Sequence, residues 1–379
     1  MKLKKWIAPV VILVILVFLL IGFGGPLLVR LGIEPVCIQG DWPHIKIVSC
    51  GGSTAQQAIP PRPLPTPGAQ GAIPLIVDDD GSPDGMIALL YFLRNPLFQV
   101  KAVTVSYGEA HPELFAPHLQ RLLAGLGRTD IPVGAGRETP LAGDNAFPDA
   151  WRQVSDDFWG LDYPQAAVSS TPLPAAQLIV DTINAASQPV VIFVSGSHTN
   201  LAEALRLDPG IVEHIQAVEV MGGSLYVPGN IHSDYPQNAN TVAEWNIWVD
   251  PLAAEEVFAS GVTVHLAPLD ATNRVPFTAE DARAWSASTA PEADLAADLL
   301  SWTLESWNTK SAYIWDLVAA IHLTDPSLCP AVPLSLDIRT APGLEQGQML
   351  ILEQGQNTLA CLEPDAAGMR ALAATVFGR

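Results

Sequence analysis

The sequence predicts a doubly wound α/β domain, a mostly parallel sheet with helices on both faces, preceded by an N-terminal transmembrane helix. Three observations carry that reading: an uncharged apolar run at the start, a Pro-rich spacer after it, and then a regular alternation of short apolar runs with longer amphipathic ones. Strands buried on both faces read as uncharged runs, and their alternation with helices implies strand-helix-strand units and a parallel sheet.

From Trp6 to Val29 no residue is charged, and crossing a hydrocarbon layer takes roughly 20 apolar residues. Lys2, Lys4 and Lys5 precede this run and only Arg30 follows it closely. The positive-inside bias therefore keeps the amino terminus in the cytoplasm and sends the remainder outside. A cleaved signal peptide is the competing reading, but its apolar region is usually about 7–15 residues and ends at a small-residue cleavage site. No A-x-A site is apparent here, and Cys37 lacks the small residues that a lipoprotein signal places before it. The expected location is a cell membrane, spanned once through residues 6–29, with the folded domain extracytoplasmic.

Of 379 residues, 19 are Lys or Arg and 39 are Asp or Glu, a net charge of −20. That balance excludes a nucleic-acid-binding surface, which needs basic groups to displace counterions from phosphates. Residues 1–30 hold four basic residues and no acidic one, so the remainder has 15 against 39, a charge of −24. Cys37 and Cys50 bracket a short segment after the anchor, while Cys329 and Cys361 both lie near the C-terminus. Outside the cytosol an even count permits two disulfides, with local pairing the simplest connectivity; four buried thiols are the alternative. No Cys/His spacing supports zinc.

These features divide the chain into a cytoplasmic tip and anchor (1–30), a Cys-bracketed segment (31–50), a Pro/Gly-rich linker (51–72) and a domain over 73–379. In the last, IPLIV (73–77), VKAVTV (100–105), VVIFV (190–194), AVEVM (217–221) and VTVHLA (262–267) read as buried strands. Stretches 84–94, 112–126, 174–187, 199–207 and 251–259 read as helices. Ligands of such folds bind beyond the carboxyl ends of the strands.

The first strand ends in Asp78-Asp79-Asp80-Gly81-Ser82-Pro83-Asp84-Gly85, four carboxylates within seven residues. A phosphate-binding turn would be glycine-rich; this one repels phosphate and suits a hard cation such as Ca²⁺ or Mg²⁺. A helix cap would account for Asp84 alone. Other strand ends bring Ser195-Gly196-Ser197-His198, then Gly229-Asn230 and Glu244-Trp245-Asn246. Asp316 lies in the apolar helical segment SAYIWDLVAAIHL, where an isolated charge is costly and a cation or a salt bridge would satisfy it.

On these residues the chain resembles the inosine-uridine-preferring nucleoside hydrolases. That family's D-x-D-x-G-x-D-D loop is matched by Asp78 to Gly85, and its later landmarks follow in order: VKAVTVSYGEAHPE (100–113), IPVGAGRETPLAG (131–143), FVSGSHTNLAEAL (193–205), VMGGSLYVPGN (220–230), AEWN (243–246), VDPLAA (249–254) and LAPLDATN (266–273). The resemblance implies hydrolysis of the N-glycosidic bond of a nucleoside-like substrate by a calcium-bound water, giving free base and ribose. It implies Asp80 as metal ligand and general base, and Asp84 as the acid on the ribose. Ser195, through its carbonyl, and Asp316 would be further metal ligands. Asp84, Met221, Asn230, Glu244 and Asn246 would form the ribose site. Trp315, with His198 and His232, would be the base pocket.

Three positions depart from the pattern. Gly85 replaces the second acid of the pair, and Asp79 or Asp78 is expected to compensate; a one-residue slip that makes Asp79 and Asp84 the ligands is the alternative. Trp315 stands where purine-accepting relatives place a His, and Gly108-Glu109 replaces a Gly-Asn. A nucleoside- or ribose-binding module with weakened turnover, or a hydrolase of another glycoside, are the rival readings. A homo-oligomer is within expectation.

Overall fold

The computed structural model of the chain describes residues 36–39, 46–49 and 71–379, and the chain divides into two units, residues 1–57 and 58–379. In the first, Val36–Gln39 and Lys46–Ser49 pair as an antiparallel hairpin. The expected membrane span, a Cys37–Cys50 bond and all but the end of the 51–72 linker lie outside the described residues. Among the described residues no helix is long and apolar enough to cross a membrane.

The second unit is organised by a nine-stranded sheet. In chain order its strands are β1 (Ile73–Asp79), β2 (Phe98–Val105), β3 (Val133–Ala135), β4 (Leu173–Pro174), β5 (Val190–Ser195), β6 (Ile215–Met221), β7 (Val264–Ala267), β8 (Val332–Leu334) and β9 (Thr358–Ala360). Across the sheet they run β8-β9-β7-β6-β5-β1-β2-β3-β4. Every pair is parallel except β8 with β9. The chain lays β1 to β4 outward in one direction, then returns to the other side of β1 and continues through β5 to β7. The carboxyl ends of β1 and β5 therefore flank a topological switch point, where open α/β sheets bind their ligands.

The helices that matter below are α1 (Pro83–Arg94), α2 (Pro112–Gly125), α3 (Asp149–Asp156), α4 (Ala175–Ala185), α5 (Thr199–Leu207), α6 (Pro251–Ala259), α7 (Pro291–Ser306), α8 (Trp315–Thr324) and α9 (Ala366–Phe377). They cover both faces of the sheet. Leu75 and Val77 of β1 enter a core built with α1, α2, α7, α8 and α9, whereas Ile76 enters a second core with α4, α5 and α6. The period of two carries on past the apolar residues, so Asp79 falls on the α1 face and Asp78 on the other. α1 starts abruptly because Ser82 accepts the Gly85 N–H at 3.0 Å, Pro83 fits the first helical position, and Asp84 sits where the helix dipole favours negative charge.

The five expected strands and five expected helices are all present, with boundaries shifted by a residue or two. One segment differs: SAYIWDLVAAIHL opens as a short strand, Ser311–Tyr313, paired with Pro276–Thr278. The helix begins only at Trp315, which places Asp316 in its first turn instead of its interior.

Cys329 and Cys361 are bonded, 32 residues apart with a Cα–Cα distance of 5.5 Å. They join the turn that follows α8 to the residue that follows β9. Closing a loop of this length restricts the unfolded chain by about 3–4 kcal/mol. The Cys329→Ser/Cys361→Ser variant should lose about that much stability in urea unfolding under oxidising conditions, and an unchanged midpoint would contradict it.

Candidate active site

The three aspartates ending β1 diverge. Asp78 turns to the α4–α5 side, where its Oδ1 accepts the Thr104 hydroxyl at 2.6 Å and the Asn200 amide at 2.8 Å. Asp79 turns towards α1; its Oδ1 accepts the Gly81 N–H at 2.8 Å and its Oδ2 the Ser195 hydroxyl at 2.8 Å. The parallel register of β1 and β5 sets Asp79 and Ser195 side by side. Asp80 accepts the Glu109 N–H on Oδ2 at 3.1 Å, while its Oδ1 is buried with no partner. Asp84 accepts the Asp316 N–H at 3.2 Å, and Ser82 donates to Asp316 Oδ2 at 3.1 Å, so the starts of α1 and α8 are pinned together.

Asp80, Asp84, Ser195 and Asp316 line a cavity of about 750 Å³, a size suited to a small organic molecule. A second lining set consists of Met221, Asn230, Asp234, Glu244 and Asn246, and a third is aromatic: Phe147, Trp151, Trp159, Trp245, Trp302, Trp307, Tyr313 and Trp315. Glu244 caps a short helix, accepting the N–H groups of Gly223, Asn246 and Ile247 at 2.8, 3.0 and 3.3 Å. Asn246 donates its amide to the Met221 carbonyl at 3.1 Å. The Trp315 indole N–H donates to Asn273 at 2.7 Å, which fixes the ring in the wall.

Trp159 reaches the cavity from a turn in which Phe158 (φ 52°), Trp159 (φ 55°) and Gly160 (φ 68°) are all left-handed. Two consecutive non-glycine residues in this region store strain. Packing opposes it, since the Phe158 ring is stacked on Phe115 and His118 at 5.8 and 5.6 Å between centroids. Three buried polar atoms of the cavity-lining residues lack any partner: Asp80 Oδ1, Asn230 Oδ1 and Trp159 Nε1. Buried polar groups are ordinarily satisfied, so orphans gathered at one cavity mark where a ligand binds.

Burial pushes the carboxyls of Asp78 and Asp79 up to about 7, and that of Glu244 likewise to about 7. Glu109, lining the same cavity, is pushed up to about 8 by burial and by the charge of Asp84. Asp80 and Asp316 lie well above the usual carboxylate range through burial and the repulsion of their acidic neighbours. Among the described residues no Lys, Arg or His lines the cavity. An all-oxygen, uncompensated donor set with an orphaned carboxylate oxygen fits a hard divalent cation. These side chains do not stand drawn around one point, and among the described residues no group of three or more His, Cys, Asp or Glu is gathered to hold a metal.

The model of the inosine-uridine preferring nucleoside hydrolases matches residues 75–371. The chain belongs to that family. The pyrimidine-specific ribonucleoside hydrolases RihA of Citrobacter koseri and Escherichia coli are each 32% identical to it over 288 residues, 74% of this chain and 88% of theirs. A plant nucleoside hydrolase, PpNRh1, shares the fold with a TM-score of 0.71 at 22% identity, over 81% of this chain and 99% of that one. The purine-preferring ribonucleoside hydrolase of Gardnerella vaginalis does so at 0.71 and 21%, over 80% of this chain and 98% of that one. Members of the family are metal-dependent N-ribohydrolases, which cleave the N-glycosidic bond of ribonucleosides.

For this nucleoside hydrolase the structure gathers Asp80, Asp84, Ser195, Met221, Asn230, Glu244, Asn246, Trp315 and Asp316 around one cavity. Asp78 and Asp79 lie behind it, outside its lining. The expectation for His198 and His232 needs correction, because neither lines the cavity. His198 is fully buried on the α6 side, its ring 5.9 Å from Phe258, and burial holds its pKa down at about 3. His232 is exposed, paired with the Asn238 carbonyl at 2.7 Å. Sequence reasoning missed Asp234 and most of the aromatic wall, including Trp151 and Trp302. The available signal was the count of ten tryptophans, too many for the core strands and helices that were assigned.

A carboxyl whose pKa is higher in the folded than in the unfolded state binds more protons when folded. Its contribution to stability is complete below about 4 and is lost as pH rises through about 7 to 8. In chelator, the melting temperature should therefore fall as pH is raised from about 5 to about 8, and a rise across that window would contradict the burial of these acids.

Proposed function

We propose that the chain hydrolyses the N-glycosidic bond of a ribonucleoside with Ca²⁺ at the acidic end of the cavity, releasing free base and ribose. The observation that supports this best is the pairing of two unlike sets of lining residues: clustered acids with an orphaned Asp80 oxygen, and an aromatic wall with an orphaned indole N–H. A ribonucleoside has the matching halves, a hydroxylated sugar and a flat base.

Asp80, Ser195 and Asp316 are the residues that would hold the cation, with Asp84 beside them. Ca²⁺ bound there would engage sugar hydroxyls and lower the pKa of a water. Asp80 Oδ1, free of other bonds, accepts the proton as the water oxygen forms its bond to the sugar C1′. The C1′–N bond breaks with its electron pair going to the base. Positive charge growing on the sugar is stabilised by the surrounding carboxylates. Glu244, locked by three backbone N–H groups, together with Asn246, Asn230 and Met221, positions the ribose. Trp315 and its aromatic neighbours take the base. With no histidine lining the cavity among the described residues, Glu109, whose carboxyl burial and the charge of Asp84 push up to about 8, is the group available to protonate the departing base.

We further propose that the enzyme is anchored through residues 6–29 and works outside the cell membrane, a reading supported by the uncharged run and its flanking lysines. Removing a general base typically costs about 10²–10⁴-fold. Asp80→Asn and Asp316→Ala should each lower kcat/KM by about that factor in a reducing-sugar assay with a nucleoside panel and excess Ca²⁺, with little change of melting temperature in chelator. Trp315→Ala should mainly raise KM. If the wild-type protein releases neither base nor ribose from any nucleoside, yet binds one tightly by calorimetry, the chain is a binding module instead.

A further inference from the structure

We infer that Asp79 is a direct ligand of the cation, reaching it through the space that Gly85 leaves open at the start of α1. This rests on the reading that the acidic end of the cavity takes a divalent cation.

The geometry is specific. A Cβ placed on Gly85 would lie 1.6 Å from Asp79 Oδ2, 2.5 Å from its Cγ and 2.8 Å from its Oδ1. The Asp79 carboxylate and a side chain at position 85 thus exclude one another; the strand's acid occupies the place from which the helix's own side chain would project. Its two bonds in the protein, from the Gly81 N–H and the Ser195 hydroxyl, are neutral. No Lys, Arg or His forms a salt bridge with it among the described residues. A carboxylate only 2% exposed with no cationic partner is costly as an anion, and a bound cation would hold it in that form.

A second observation points the same way. Asp80, the next residue, lines the cavity, is 1% exposed, and has a buried Oδ1 with no hydrogen-bond partner. Asp84 and Asp316 are held together at the same end, Asp84 accepting the Asp316 N–H and Ser82 donating to Asp316. Asp78 does not serve this purpose, since the strand's alternation turns it to the opposite face, onto Thr104 and Asn200.

The test measures cation binding directly, by calorimetric titration of the full chain with Ca²⁺ and by Ca²⁺-dependent shift of the melting temperature, with no substrate present. Asp79→Asn keeps the shape and the Ser195 bond but removes the charge, and should weaken Ca²⁺ binding at least about tenfold. Gly85→Ala should do the same by displacing Asp79. The exchange Asp79→Ala/Gly85→Asp, which returns a carboxylate to the same place from the helix side, should recover most of the lost affinity. Wild-type affinity in Asp79→Asn, or no recovery in the exchange variant, overturns the inference. Failure of the wild-type chain to take up Ca²⁺ or Mn²⁺ overturns the cation reading beneath it.

Discussion

Taking a carboxylate out of water raises its pKa, and crowding several together raises each one further. This chain does both where β1 and β5 end, and much of the surrounding sequence is fitted to that constraint. Glycines stand where side chains would collide with acids: a Cβ at Gly108 would lie 2.2 Å from Asp80 Oδ2, and one at Gly196 would lie 2.6 Å from Asp80 Cβ. Hydroxyls and backbone N–H groups hold the acids in place without neutralising them. The arrangement is thus kept electrically incomplete by the protein, and completing it falls to what binds.

Most of the framework was legible because its signals are local. A short β-branched apolar run bounded by turn residues and alternating with helical stretches reads as a buried strand, and the acids after β1 could be placed at a ligand-binding edge from topology alone. The short strands β3, β4, β8 and β9 were not legible. β4 is two exposed residues, Leu173 and Pro174, and such edges exist through pairing with a neighbour rather than through their own pattern.

The candidate site divides the same way. Asp80, Asp84, Glu244, Asn246 and Asp316 announce themselves as polar residues in apolar settings. The histidines misled because a sequence position near a strand end does not fix which face the side chain takes. His198 follows the turn onto the α6 side, where Phe258 covers it. Apart from Trp315 the aromatic wall was hidden for the opposite reason: its rings come from α3, the turn at Trp159, the short helix at Trp245, α7 and the segment leading into α8, all far apart in sequence. The relation of Asp79 to Gly85 is intermediate. The missing acid could be read in the sequence, but which of two neighbouring aspartates fills its place depends on the pleat of β1.

The left-handed turn at Phe158 and Trp159 sets backbone strain against ring packing. Either residue replaced by glycine would relieve its backbone, because only glycine occupies that region without strain. Relief at Trp159, however, would empty part of the aromatic wall, and relief at Phe158 would remove the ring that anchors the turn on Phe115 and His118. Losing either buried ring costs about 3–5 kcal/mol, more than the roughly 1–3 kcal/mol of strain relieved, so glycine at either position lowers stability. Here the rings hold the backbone in place, not the backbone the rings.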